Sequence, residues 1–253
     1  MRAHGPNDWD SMARRFDGGV CHVLAEDRGR VVARALAEEA RRRGRRRRIL
    51  VGDFGCGIGR ALPLLARSFG RAAEILAVDG SSACLARARS AVRGARHIAF
   101  VHADLAARRL SLPRVDVGLC INVALTPDDD ARERLLANVA GHVRRGGRLF
   151  LVVPSLESDL LVRRRFVDWA GEPWRAKRRE RVADGIVDAG GVLTKHWTRE
   201  ELLLLAPRLA CRAVSIARVE YGWHTELVRP PKSFREPYPW DWLVVLERRS
   251  PRR

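Results

Sequence analysis

Seven residues, Asp53-Phe54-Gly55-Cys56-Gly57-Ile58-Gly59, carry the clearest chemical potential in the chain. They follow an apolar run, Ile49-Leu50-Val51, that reads as a buried strand, and precede a helical pattern at Leu62, Leu65, Ala66 and Phe69. Alternate glycines let the backbone turn with positive φ and let a ligand lie directly against the main chain. The helix that follows offers unpaired N–H groups at its start. The chemistry implied is the cradling of a polar ligand beside a carboxylate. Three more strand-like runs end in polar tips. Ile75-Leu76-Ala77-Val78-Asp79 places an acid 20 residues beyond Gly59, with Ser81 or Ser82 set to cap the next helix. Ile98 to His102 leads to Asp104 and Leu105, and Val115 to Ile121 leads to Asn122.

Ligands of open α/β sheets bind outside the carboxyl ends of the strands, so Asp53, Asp79, Asp104 and Asn122 would share one crevice. The spacing departs from the dinucleotide fingerprint Gly-x-Gly-x-x-Gly, whose third glycine would fall at Arg60. A nicotinamide site would account for Asp79 but not for Asp104. An acid two positions before Gly-x-Gly-x-Gly resembles motif I of the class I S-adenosylmethionine (SAM)-dependent methyltransferases, and the acid-tipped strands follow in that family's order. The resemblance implies SAM as cofactor. Gly55, Gly57 and Gly59 would form the loop against its methionine part, and Asp53 would orient the loop and reach the amino group. Asp79 would accept the ribose hydroxyls. Asp104, with Leu105, would hold the adenine, and Asn122 with Val123 would line the floor near the sulfonium.

Methyl transfer to a neutral oxygen or nitrogen can also require a general base. His196, Tyr221, His224 and Glu226 are the candidates, with His196 and Tyr221 placed first as catalytic residues. Asn122-Val123-Ala124-Leu125 is not an Asn-Pro-Pro-aromatic tetrapeptide, which weighs against an amino-adenine or glutamine-amide acceptor. No metal constellation is visible: His97 and His102, five apart on a strand, project to opposite faces.

These residues need a scaffold. Residues 7 to 43 read as helical, and Trp9 and Phe16 resemble the aromatic residues of an N-terminal helix covering the cofactor in related enzymes. Strands are expected near 49–53, 75–79, 98–102, 116–121 and 148–153, alternating with helices, which implies a doubly wound parallel sheet. Thr126-Pro127 reads as an N-cap followed by proline at the first helical position. Residues 154–197 are long for one connection, and their tryptophans argue for order; they resemble a cap inserted after the fifth strand to shape the acceptor pocket. Thr198 to Glu201 forms a capping box. Ala213 to Tyr221 and Trp242 to Glu247 read as a terminal antiparallel hairpin. The fold expected is therefore α/β and Rossmann-like. It has seven mostly parallel strands with helices on both faces, an N-terminal helical segment (1–48) and the 154–197 cap, in one domain over 1–253.

Composition bounds the function. The chain has 253 residues, 46% of them hydrophobic, enough for a sizeable core. No apolar run approaches a membrane span, and the first residues lack a signal peptide's apolar stretch, so a cytoplasmic protein is expected. Five scattered cysteines form neither a zinc framework nor a disulfide scaffold. The net charge of +18 suggests a polyanionic partner, yet only Lys177, Lys195 and Lys232 among 48 basic residues are lysine. Such a ratio points to arginine spread over solvated faces; the run Arg41 to Arg48 is broken only by Gly44. The leading expectation is a methyltransferase acting on a small molecule. An RNA methyltransferase using the arginine faces, and a non-catalytic SAM-binding regulator, are the alternatives.

Overall fold

A computed structural model describes residues 22–44, 48–70, 73–173 and 179–250. The order is α1 (Val23–Glu26), α2 (Val31–Arg43), β1 (Ile49–Phe54), α3 (Leu62–Phe69), β2 (Ala73–Asp79), α4 (Ser82–Ala91), β3 (Ile98–His102), β4 (Val115–Ile121), α5 (Asp129–Gly141) and β5 (Val143–Pro154). There follow α6 (Leu156–Ala170), β6 (Ile186–Ala189), β7 (Val192–Lys195), α7 (Arg199–Arg208), β8 (Cys211–Glu220) and β9 (Trp240–Arg248). Seven strands form one sheet in the order β3-β2-β1-β4-β5-β9-β8. The first five are parallel, whereas β9 runs antiparallel to both β5 and β8.

The central strands are apolar on both faces because helices cover both, as parallel sheets require. On one face Leu36 of α2, Leu62 and Leu65 of α3, and Leu85 of α4 pack on Val51, Ile75 and Leu119. On the other, Leu136 and Val139 of α5 and Leu202 and Leu205 of α7 pack on Phe54, Val78, Leu149 and Leu151. Removing one such fully enclosed side chain, as in Leu65→Ala, would cost about 2–5 kcal/mol. Glu39, 1% exposed, pins α2 to the sheet. Its carboxylate takes bonds from Arg42 and Arg43 at 2.7 Å and from Arg148 of β5 at 3.1 Å.

One expectation changes in detail. The helical segment expected over 7–43 holds two helices within the described residues. Arg30 adopts φ 49°, and the Asp27 carboxylate accepts the Val32 N–H at 2.9 Å, so the chain restarts there. Trp9, Phe16 and the arginines at 45–47 lie outside the described residues. The α5 N-cap is Asp128, not Thr126: the Asp128 carboxylate accepts the Ala131 N–H at 3.0 Å, while the Thr126 hydroxyl accepts the Asp128 N–H at 3.2 Å. Asp128, two positions nearer the first free N–H groups than Thr126, caps them with its carboxylate. The capping boxes and turns elsewhere follow the residues, with Ser81 capping α4 and Thr198 paired with Glu201 at α7. Residues 154–197 hold α6 and the separate β6–β7 hairpin.

Candidate active site

The glycine loop leaves β1 at its carboxyl end. Gly55, Gly57 and Gly59 all take positive φ, at 75°, 52° and 84°. At Gly55 a side chain has no room, since a Cβ would lie 2.3 Å from Val123 Cγ2. The loop is fastened to β2, where the Val78 carbonyl accepts N–H groups from Gly55 (2.8 Å) and Cys56 (3.0 Å).

Asp79 does more than terminate β2. Its Oδ2 accepts the Gly57 N–H at 2.7 Å and its Oδ1 the Ser81 N–H at 2.8 Å. The carboxylate therefore shapes the glycine loop and the start of α4 together. A carboxylate oxygen has lone pairs beyond those two bonds, so it can still receive hydroxyl donors. Asp104 sits exposed past β3, where its side chain accepts the Ala106 N–H at 2.8 Å. Leu105 beside it is buried, and its carbonyl is held by the Asn138 side chain at 2.8 Å.

Asp53 is 2% exposed, and among the described residues its Oδ2 has no hydrogen-bond partner. Burial and the neighbouring Asp79 carboxylate push its pKa up to about 7. Asn122 follows β4 with φ 50°, a left-handed turn. Its Nδ2 donates to Asp241 Oδ2 at 3.0 Å, while its Oδ1 is enclosed without a partner among the described residues.

Asp241 opens the second side of the cleft. It is 8% exposed, and burial raises its pKa while bonds from Tyr221 and Asn122 pull it back down. Tyr221, just past β8, is 3% exposed. Glu226, in the loop after it, is open to solvent yet has its pKa raised by the surrounding protein, with Asp241 and Asp159 adding repulsion. His196 precedes α7; burial lowers its pKa, Asp159 opposes that, and its Nδ1 lies 3.3 Å from the Thr194 carbonyl oxygen. Thus Asn122, Tyr221, Glu226 and Asp241 form one neighbourhood, and Asp159 links it electrostatically to His196. His224 turns away to Glu26 at 2.9 Å.

Asp241 was not singled out from the sequence. Its signal was the alternation Trp240-Asp241-Trp242. The tryptophans pack together on one face at 5.8 Å between ring centroids, which sends the aspartate to the other face. Among the described residues no group of three or more His, Cys, Asp or Glu could hold a metal ion. No helix there is long and apolar enough to cross a membrane.

Sheet order, reversed β9 and the glycine loop over β1 give the Rossmann-like, seven-stranded α/β fold expected from the sequence. Residues 51–147 match the family model described as a methyltransferase domain. A carboxy-S-adenosyl-L-methionine synthase from Dichelobacter nodosus is 34% identical over 113 residues, 44% of this chain and 47% of that protein. The chain thus matches about half the length of that curated relative. The CcbJ methyltransferase from Streptomyces caelestis aligns with a TM-score of 0.62 at 16% identity, over 98% of this chain and 100% of that one. Magnesium protoporphyrin IX methyltransferase from Synechocystis, solved with bound SAH, aligns with a TM-score of 0.60 at 16% identity, over 95% and 96%. At such identities these structures bear on the fold alone.

Proposed function

We propose that the chain binds SAM over the carboxyl ends of β1, β2 and β4 and directs methyl transfer to a small-molecule acceptor. The observation that carries this reading is the cradle itself: a loop of three left-handed glycines closed onto Asp79, with a buried, unpaired carboxylate oxygen of Asp53 beneath it. These features fit a cationic ligand with a hydroxylated ribose. When bound, the cofactor supplies a methyl group on a sulfonium, activated for in-line displacement.

The chain's own residues then bind and align. Asp79 accepts hydroxyl donors, while Asp104 and Leu105 bound the adenine. Asp53 offers negative charge to the amino end. Asn122, held by Asp241 at 3.0 Å, would line the floor of the cleft beside the bound cofactor. Tyr221, Glu226 and Asp241 surround the acceptor, and His196 stands at the edge contributed by residues 154–197, which act as its cap. Tyr221 bonded to Asp241 is placed to orient an acceptor, and Glu226, whose pKa is raised above the ordinary carboxylate value by desolvation, is a candidate base beside it.

Glu226 and Asp241 put carboxyl groups on the acceptor side of a strongly basic protein, while Asp159 there is paired with Arg163 at 2.6 Å. That polarity repels phosphate, which favours a small acceptor over RNA. The test is calorimetry with SAM and with NADH, followed by transfer of labelled methyl into a metabolite extract. SAM binding with labelled small products is the expected result. Tight NADH binding without SAM binding, or label entering RNA alone, would overturn it.

A further inference from the structure

Asp53 is set among groups that give its charge nothing to rest on. In the parallel register Asp53 lies opposite Ala77 of β2 and Leu119 of β4, and both are fully buried. Residues in register share a sheet face, and so do residues two apart, so Asp79 lies on the face of Asp53, one step further along β2. Among the described residues no cation shifts Asp53; the titratable groups facing it there are Asp79 from β2, the Cys56 thiol from the glycine loop and the Cys120 thiol from β4. Both thiols are themselves pushed up by burial, so they remain neutral. Burying an isolated ionised carboxylate costs far more than burying a neutral one. Two carboxylates sharing one site do not both ionise readily. Two N–H groups solvate the Asp79 carboxylate, whereas Asp53 Oδ2 has no such donor among the described residues.

We infer that Asp53 carries a proton in the cofactor-free protein and releases it to solvent when the positively charged cofactor enters, so that SAM binding is coupled to proton release. This rests on the SAM-binding reading above. The step balances simply: the O–H bond of the Asp53 carboxyl breaks, the proton passes to buffer, and the carboxylate left behind faces a cation. The position of this titration near 7 makes the coupling strong across neutral pH. Affinity for SAM would fall about tenfold between pH 8 and pH 6 from this group alone.

The test is SAM calorimetry in buffers of different ionisation enthalpy, between pH 6 and 8, on the full chain and on Asp53→Asn. The slope against buffer enthalpy counts protons. The full chain is expected to release about half a proton per SAM at pH 7 and more at pH 6. Asp53→Asn is expected to release less by that amount. The ligand's own amino group titrates equally in both and cancels. Infrared difference spectra of the cofactor-free protein supply a second measurement that does not depend on the variant folding. A buried carboxylic-acid carbonyl band at pH 6 should vanish when SAM is added. SAM binding with no net proton release, or with equal release in Asp53→Asn, overturns the coupling and leaves the cofactor reading standing. Absence of SAM binding at every pH overturns both.

Discussion

Asp79→Asn tests the double duty of the β2 tip. The carboxylate accepts Gly57 N–H on one oxygen and Ser81 N–H on the other. An asparagine of the same shape keeps one acceptor oxygen and turns an NH2 group toward the other N–H. Hydrogen bonds to charged groups are worth about 1.5–3 kcal/mol each, and the variant loses one while weakening the second. A loss of about 2–3 kcal/mol in stability is expected, or roughly 4–12 °C in melting temperature for a chain of this size. The same change removes the charge that would meet the ribose hydroxyls, so SAM affinity should fall about 10–100-fold in the folded variant. Urea unfolding gives the first number and calorimetry the second. Loss of stability with unchanged SAM affinity would show that Asp79 only shapes the loop. Unchanged stability would mean that these two N–H bonds contribute nothing to the fold, against the geometry.

Gly55→Ala should abolish SAM binding, because φ of 75° strains alanine and its Cβ would lie 2.3 Å from Val123 Cγ2; a binding isotherm like that of the unaltered protein would contradict this. Asp53→Asn should stabilise the cofactor-free protein at pH 8. A carboxyl held at about 7 against an ordinary 3.8 costs the folded state nothing below pH 4, an amount rising with pH, and about 4 kcal/mol above pH 7. Unfolding curves of the two proteins should therefore converge near pH 4 and separate above it. Glu226→Gln and Tyr221→Phe should lower turnover while leaving SAM affinity within a fewfold, since both flank the acceptor side; parallel loss of SAM binding would reassign them to the cofactor. Glu39→Gln should destabilise by about 3–5 kcal/mol, because Arg42, Arg43 and Arg148 converge on a carboxylate with no exposed side-chain surface; chemical denaturation measures it.

The strand tips were legible because each strand announces itself twice, by an apolar run and by the polar residue at its carboxyl end. Asp53, Asp79, Asp104 and Asn122 mark four successive strands, and the sheet places all four along one edge. Local capping signals were equally readable at Ser81 and Thr198, where a side chain needs only its own backbone neighbours. What escaped depends on partners far away in sequence. Asp241 matters because Asn122 and Tyr221 come to it across the sheet. The hold of Asp79 on Gly57 spans 22 positions and is invisible to any local pattern. The break at Asp27–Arg30 was hidden because apolar spacing on both sides remains helical. Only the bond from Val32 to the Asp27 carboxylate shows where the second helix begins anew.

The placement of β9 has a consequence for how the protein is made. Among the described strands β9 follows β5 and β8 in sequence but lies between them in the sheet. Both neighbours emerge from the ribosome first, and among the described residues β8 pairs with no other strand. Until residues 240–248 arrive, β5 presents an open hydrogen-bonding edge and β8 is unattached. The glycine loop and Asp79 can assemble early with β1 and β2, whereas Asp241, which holds Asn122, arrives with β9. A nascent chain would thus complete the β1–β2 tips before the Asn122–Asp241 contact exists. In the interval it would depend on chaperones to shield β5 from strands of other chains.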